Sequence, residues 1–300
     1  MRKFIALAVC LLTAVLLTAC SAPQTPATIT PVHTPLPGPV TVPKELAEFE
    51  NAPALGFNED AWYADNLLIY HGGGGIDGLD YTNSEESLEL TLNRGIRAIE
   101  IDFDYTTDNK LVCMHYLGDV DWTAKEYTYE EFMAQKVQGK YTSTDAAYVV
   151  NLMREYKDLY VIIDTKNEYL KNVVTDLVNL ADDKTVCDRF VVQLYQPEDK
   201  AMVEEIYDFP EDNYLFTSYK FGYDPYSLVK LCFEQGIKII TLPEGKYSFT
   251  EETMRFLRTK NIYIYEHTIN RPDVAQRQLD KGMYGLYTDF LEADSLTFYN

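Results

Sequence analysis

Four short stretches of this chain carry the residue types of acid–base and metal chemistry. His71 follows an apolar run, Glu100-Ile101-Asp102 sits inside a second, His115 closes a third, and Asp164-Thr165-Lys166 ends a fourth. In an extended chain residues i and i+2 point to the same side, so Glu100 and Asp102 project together, as do Asp164 and Lys166. Ile99, Ile101 and Phe103 then take the opposite, core-packed face. Three converging carboxylates repel one another unless a cation neutralises them, and an all-oxygen ligand set suits Mg²⁺ or Ca²⁺. Two imidazoles flanking such a cation supply a general base and a general acid near neutral pH, and on sequence alone either can take either role. Lys166 adds a fixed positive charge for an anionic substrate.

Something must hold these residues at one place. Near-continuous apolar runs predict buried strands at 67–70, 96–103, 159–163, 190–194, 214–217, 237–242, 262–265 and 285–287, with a β-rich return at 110–115. Helical patterns fall between them, at 84–94, 128–135, 144–156, 169–181, 198–207, 226–235, 251–259 and 273–281. Leaving out the return, eight βα repeats in roughly 250 residues fit a (β/α)8 TIM barrel, and a doubly wound open sheet is the alternative. In a barrel the strand ends that carry the four stretches meet at the C-terminal mouth, where active sites sit.

The 300 residues bear 47 acidic against 26 basic side chains, a formal charge of −21, so polyphosphate is repelled and a nucleic-acid partner is not expected. With 46% hydrophobic residues and 24 Tyr the chain is globular rather than disordered. Met1-Arg2-Lys3, the apolar run from Phe4 to Leu17 and Leu17-Thr18-Ala19-Cys20 form an export leader. The last four residues resemble the bacterial lipobox, which implies lipidation of Cys20, a membrane anchor and an extracytoplasmic location. The expected organisation is a signal peptide over 1–19, a tether over 20–44 and a barrel over 60–300. Residues 21–43 hold seven Pro and five Thr and no charged residue, the composition of an extended spacer. Cys113, Cys187 and Cys232 lack metal-site spacing and read as small core residues, with one disulfide left open. Nothing in the pattern speaks to oligomeric state.

Taken with their order, the four stretches resemble the glycerophosphodiester phosphodiesterases, within the wider PI-phospholipase-C-like barrels. Tyr70-His71-Gly72-Gly73 stands where that family has His-Arg-Gly, Glu100-Ile101-Asp102 where it has Glu-x-Asp, and Leu111 to His115 around its second His. Asp164-Thr165-Lys166 matches its acid-x-Lys, and His267 to Asn270 and Gly285 to Phe290 its late-strand signatures. The resemblance implies that His71 and His115 form the acid–base pair and that Glu100, Asp102 and Asp164 hold a divalent metal. It implies a small-molecule or lipid phosphodiester as substrate. The departures are Gly72 for the family's Arg, Tyr116 for an Asp after the second His, Asp164 for Glu, and Tyr81-Thr82-Asn83-Ser84 for Pro-Glu-Asn-Thr.

Other readings are weaker. Gly73-x-Gly75-x-x-Gly78 matches a dinucleotide fingerprint, but Leu79 to Asn83 separate its last Gly from the helix cap at Ser84. A carboxylate-pair glycosidase on the same barrel leaves both His and Lys166 without a role. A non-catalytic ligand-binding lipoprotein on a decayed barrel accounts for Gly72 and Tyr116 and predicts binding without turnover.

Overall fold

The structure, a computed structural model, describes residues 35–115, 126–218, 224–245 and 249–299. The lipobox with Cys20 and the position of Tyr116 lie outside the described residues. No helix among the described residues is long and apolar enough to cross a membrane.

Eight parallel strands close on themselves. In chain order they are β1 (Leu68–Tyr70), β2 (Ala98–Tyr105), β7 (Tyr160–Thr165), β8 (Phe190–Leu194), β9 (Tyr214–Thr217), β10 (Ile239–Pro243), β11 (Tyr263–His267) and β12 (Gly285–Thr288). Each pairs with the next, β12 returns to β1 through Leu68↔Leu286 to Tyr70↔Thr288, and Tyr70↔Ile99 completes the ring between β1 and β2. This is the (β/α)8 barrel that the alternation predicts. The antiparallel return is β3 (Leu111–Cys113), paired with β2 and edged by β6 (Thr144–Asp145). A hairpin, β4 (Lys136–Val137) with β5 (Tyr141–Thr142), lies between them in sequence.

The crossovers are α2 (Glu85–Asn93), α4 (Ala146–Glu155), α5 (Leu170–Ala181), α7 (Asp199–Glu204), α8 (Pro225–Gln235), α9 (Glu251–Arg258) and α10 (Pro272–Lys281). Short α1 (Trp62–Asp65), α3 (Tyr129–Ala134) and α6 (Lys184–Cys187) complete the helices. Local chemistry sets their ends: Ser84 and Ser87 form a reciprocal cap on α2, and Asp224 caps α8 ahead of Pro225, with Gly236 left-handed after its last turn. The helix expected from residue 144 starts at Ala146 instead. Thr144 and Asp145 pair with β3, and the Asp145 carboxylate caps the Tyr148 amide. The helix expected over 198–207 ends at Glu204.

Part of the segment before residue 60 belongs to the packed unit. A 3₁₀ turn at Lys44–Phe49 buries Leu46 and Phe49, and the Phe49 ring stacks 5.2 Å from Phe233 of α8. Lys260 clasps the carbonyls of Glu50 and Ala52 at 2.7 Å each, and Arg255 of α9 holds the carbonyl of Pro37. Tyrosines fill the lower barrel. Tyr263, Tyr265 and Tyr284 pack on Tyr63 and Trp62, and Gly285 is required because a Cβ there would lie 2.3 Å from the Tyr265 ring. Cys113, Cys187 and Cys232 are buried free thiols.

Candidate active site

Strand register brings the acids together. Asp102 of β2 is the direct neighbour of Asp164 of β7, and Glu100 lies one inward position below Asp102 on the same strand. One oxygen from each of Glu100, Asp102 and Asp164 falls within 4.8 Å of the others. All three line a cavity of about 520 Å³ at the mouth, with His71, His115, Lys166, Gln193, Tyr195, His267 and Tyr287.

Each carboxylate is aimed by neighbours. The Glu100 Oε2 accepts the Gly72 amide at 2.6 Å, while its Oε1 is buried with no hydrogen-bond partner among the described residues. Asn83 clasps Asp102 twice, donating Nδ2–H to the carboxylate at 2.8 Å and accepting the Asp102 amide at 3.1 Å. Asp164 takes three donors on Oδ1: the Thr165 amide at 2.8 Å, Gln193 Nε2 at 2.7 Å and the Tyr195 hydroxyl. Burial, and then the charges of Asp102 and Asp164, push the Glu100 carboxyl well above its usual range. Burial and the charge of Asp102 lift Asp164 to about 6. Such a cluster is costly until a cation enters it. The hard oxygen donors and the one unpartnered oxygen fit a divalent metal, with Glu100, Asp102 and Asp164 as its protein ligands.

The imidazoles differ in their support. His71 stands in a tight turn after β1, and its Nδ1 meets Asp289 Oδ1 at 3.2 Å. Asn270 donates to the other Asp289 oxygen at 2.6 Å and accepts the Asp289 amide at 2.8 Å, so that carboxylate is fixed. Burial draws the His71 pKa down; the hydrogen bond and charge of Asp289, with Asp102 and Asp164, more than offset it and leave it above 6.5. With Nδ1 engaged, Nε2 is the atom left for chemistry. His115 lies two residues past β3 on the same cavity. Lys166 lines the cavity too, with Nζ 3.1 Å from Asp104 Oδ2. All six residues expected at the site are therefore brought to one cavity.

The glycerophosphoryl diester phosphodiesterase family matches residues 71–293, most of the chain. The chain belongs to that family. It is an enzyme of the glycerophosphodiester phosphodiesterase type, a phosphoric diester hydrolase. Among curated proteins it resembles the uncharacterized protein YqiK of Bacillus subtilis, at 20% identity over 246 residues, covering 75% of this chain and 96% of that one. Among solved structures it shares its fold with a glycerophosphodiester phosphodiesterase of Parabacteroides distasonis, with TM-score 0.59, 16% identity and coverage of 74% and 92% of the two chains. The same fold is shared by an Oleispira antarctica phosphodiesterase solved with its product sn-glycerol-3-phosphate, with TM-score 0.59, 14% identity and coverage of 74% and 92%.

Sequence reasoning left several members of this phosphodiesterase site without a role. Asp104 continues the alternation of Glu100 and Asp102 by one more step, a signal present in Glu-Ile-Asp-Phe-Asp. Gln193 on β8 and Tyr195, one residue past its end, repeat the pattern. Asp289 was visible only inside the late signature, because its pairing with His71 needs β12 beside β1. Tyr81 and Asn83 lie on the loop after β1, and both take left-handed backbone angles, φ 52° and 45°.

Proposed function

We propose that the chain is a metal-dependent hydrolase of glycerophosphodiesters or related lipid or wall phosphodiesters, working by His–His acid–base catalysis. The observation that carries the reading is one cavity in which two imidazoles face three clustered carboxylates, one of them with a buried oxygen that lacks a partner. A bound Mg²⁺ or Ca²⁺ would supply Lewis-acid stabilisation of charge developing on the phosphoryl oxygens. His71, held through Nδ1 by Asp289, removes a proton from the attacking hydroxyl at Nε2, and Asp289 stabilises the imidazolium that results. His115 donates a proton to the departing alkoxide. Lys166, steadied by Asp104, attracts the phosphodiester anion. Gly72 has no side chain to reach the phosphate, so Lys166 carries this attraction among the described residues that line the cavity.

The attacking hydroxyl belongs to water or to a neighbouring alcohol of the substrate; the second case gives a cyclic phosphate. The Oleispira enzyme's sn-glycerol-3-phosphate makes a glycerol phosphodiester the first substrate to try. The leader over residues 1–19, followed by Cys20, supports a lipid-anchored, extracytoplasmic protein.

The test is hydrolysis of bis(p-nitrophenyl) phosphate and glycerophosphocholine by the purified chain with Mg²⁺, Ca²⁺ or EDTA, beside His71→Ala. Turnover that EDTA and the substitution both abolish is the expected result. Turnover that survives EDTA would remove the metal from the mechanism, and a folded protein inactive on both substrates would overturn the reading.

A further inference from the structure

The two imidazoles of the proposed mechanism are not held alike. His71 has a carboxylate behind it; the Nδ1 of His115 is buried and finds no hydrogen-bond partner among the described residues. With no hydrogen bond at Nδ1, the ring depends on packing for its orientation on that side. The packing comes from Tyr81. Its ring centroid lies 4.1 Å from that of His115 with the planes 33° apart, and 4.3 Å from that of His71 in an edge-on arrangement at 77°. One phenol ring thus touches both members of the acid–base pair.

The loop around Tyr81 is anchored on both sides. Upstream, Asp77 is engaged by Lys140 and by the Tyr141 hydroxyl of the β4–β5 hairpin. Downstream, Asn83 clasps Asp102, and its carbonyl accepts the Thr144 hydroxyl. Between these points Tyr81 takes a left-handed φ of 52°, which residues other than Gly, Asn and Asp seldom adopt. Gly72 completes the arrangement. It is itself left-handed at φ 54°, and a Cβ there would sit 2.9 Å from the Tyr81 Cα. A side chain at position 72 and the Tyr81 backbone compete for one space.

We propose that Tyr81 is a positioning residue that fixes the His115 ring, and its spacing from His71, by aromatic contact, with Gly72 required to make room for it. The proposal rests on the acid–base roles given above. It assigns to ring packing the orientation that a hydrogen-bonded carboxylate gives His71, and it accounts for the absence of a side chain at position 72.

The experiment compares Tyr81→Phe, Tyr81→Ala and Tyr81→Met in the purified chain by steady-state kinetics, thermal melting and side-chain NMR of the four His. Small displacements of a reacting group cost up to about a hundredfold in rate. The expected outcome is a fall in kcat of about 10- to 100-fold for Ala and Met with KM within about threefold of wild type, and recovery of most of kcat by Phe. The His115 ring signals should be displaced from those of free histidine in wild type and Tyr81→Phe, and should collapse toward them in Tyr81→Ala. Met separates lost ring contact from a cavity, and melting identifies a variant that has unfolded. Unchanged kcat in Tyr81→Ala, or Tyr81→Phe as slow as Tyr81→Ala, overturns the proposal. If the wild type turns over no phosphodiester, the functional reading fails by itself. The NMR comparison then decides the role of Tyr81, and His115 signals unmoved in a folded Tyr81→Ala would refute it.

Discussion

Replacing Asp164 by Asn should stabilise the metal-free protein while destroying its metal response. The Asp164 carboxyl is lifted from 3.8 to about 6 by burial and by the neighbouring charge of Asp102. An acid whose folded pKa is raised holds its proton more tightly in the folded state. Its favourable effect is present below the ordinary pKa and is lost as pH rises through about 6. At pH 7.5 the two-unit shift corresponds to about 3 kcal/mol against folding, which partial exposure to the cavity reduces to about 2. Asparagine can keep the three hydrogen bonds that converge on Oδ1 and turn its amide N–H groups toward Glu100 and Asp102. At roughly 2–4 °C per kcal/mol, the metal-free variant should melt about 4–8 °C above wild type at pH 7.5, with the gap closing toward pH 4. Metal at a hundredfold over its Kd adds about 2.7 kcal/mol to a protein that binds it. Wild type should therefore gain about 5–11 °C and the variant much less. Scanning calorimetry with EDTA or Mg²⁺ reads both effects. A metal-free variant that melts below wild type, or one that keeps the full metal shift, would refute the reasoning.

Two further perturbations test separate parts of the molecule. Asp289→Asn removes the charge behind His71 and should lower kcat about 10- to 100-fold, in line with the ~1.5–3 kcal/mol of a charge-assisted hydrogen bond. It should also move the acidic limb of the pH–rate profile to lower pH, because the imidazole loses the partner that raises its proton affinity; an unmoved limb would count against His71 as the base. Glu266 of β11 is buried between the barrel and α10, where burial lifts it to about 7 against the opposing Gly245 amide and Gln278. Its raised pKa makes the protein lose stability as pH climbs through 7, so Glu266→Gln should raise the melting temperature at pH 8 by several degrees and change it little at pH 5. A larger gain at pH 5 than at pH 8 would reverse the sign of this argument.

What the chain disclosed in advance was whatever depended on local pattern. Strands such as 190–194 and 214–217 are near-continuous apolar runs, buried along their whole length, and their limits follow from composition. Glu100, Asp102 and Asp164 were legible because acids alternating with large apolar residues on a buried strand can only face the barrel lumen. The partnership of His71 with Asp289 was not, since it spans 218 residues and exists only because β12 lies against β1. Tyr81 was hidden for a different reason. Its role follows from a left-handed loop conformation fixed by a distant hairpin, and no periodicity reports that. The Leu46 and Phe49 anchor escaped notice because two apolar residues beside a Pro-rich tether are too few to form a pattern.

The clasp that Arg255 places on the Pro37 carbonyl gives the enzyme a direction. Arg255 also holds the carbonyl of Asp280 near the end of α10, and helix ends of this barrel gather at the face opposite the mouth. The chain therefore joins the barrel from behind. With the anchor proposed at Cys20, the 17 residues up to Pro37 span about 50 Å when fully extended at about 3.1 Å each. Under that proposal the barrel would stand with its back to the membrane and its mouth outward, toward soluble glycerophosphodiesters or the wall. To work on intact lipid in that bilayer, it would have to fold the whole tether back along its flank.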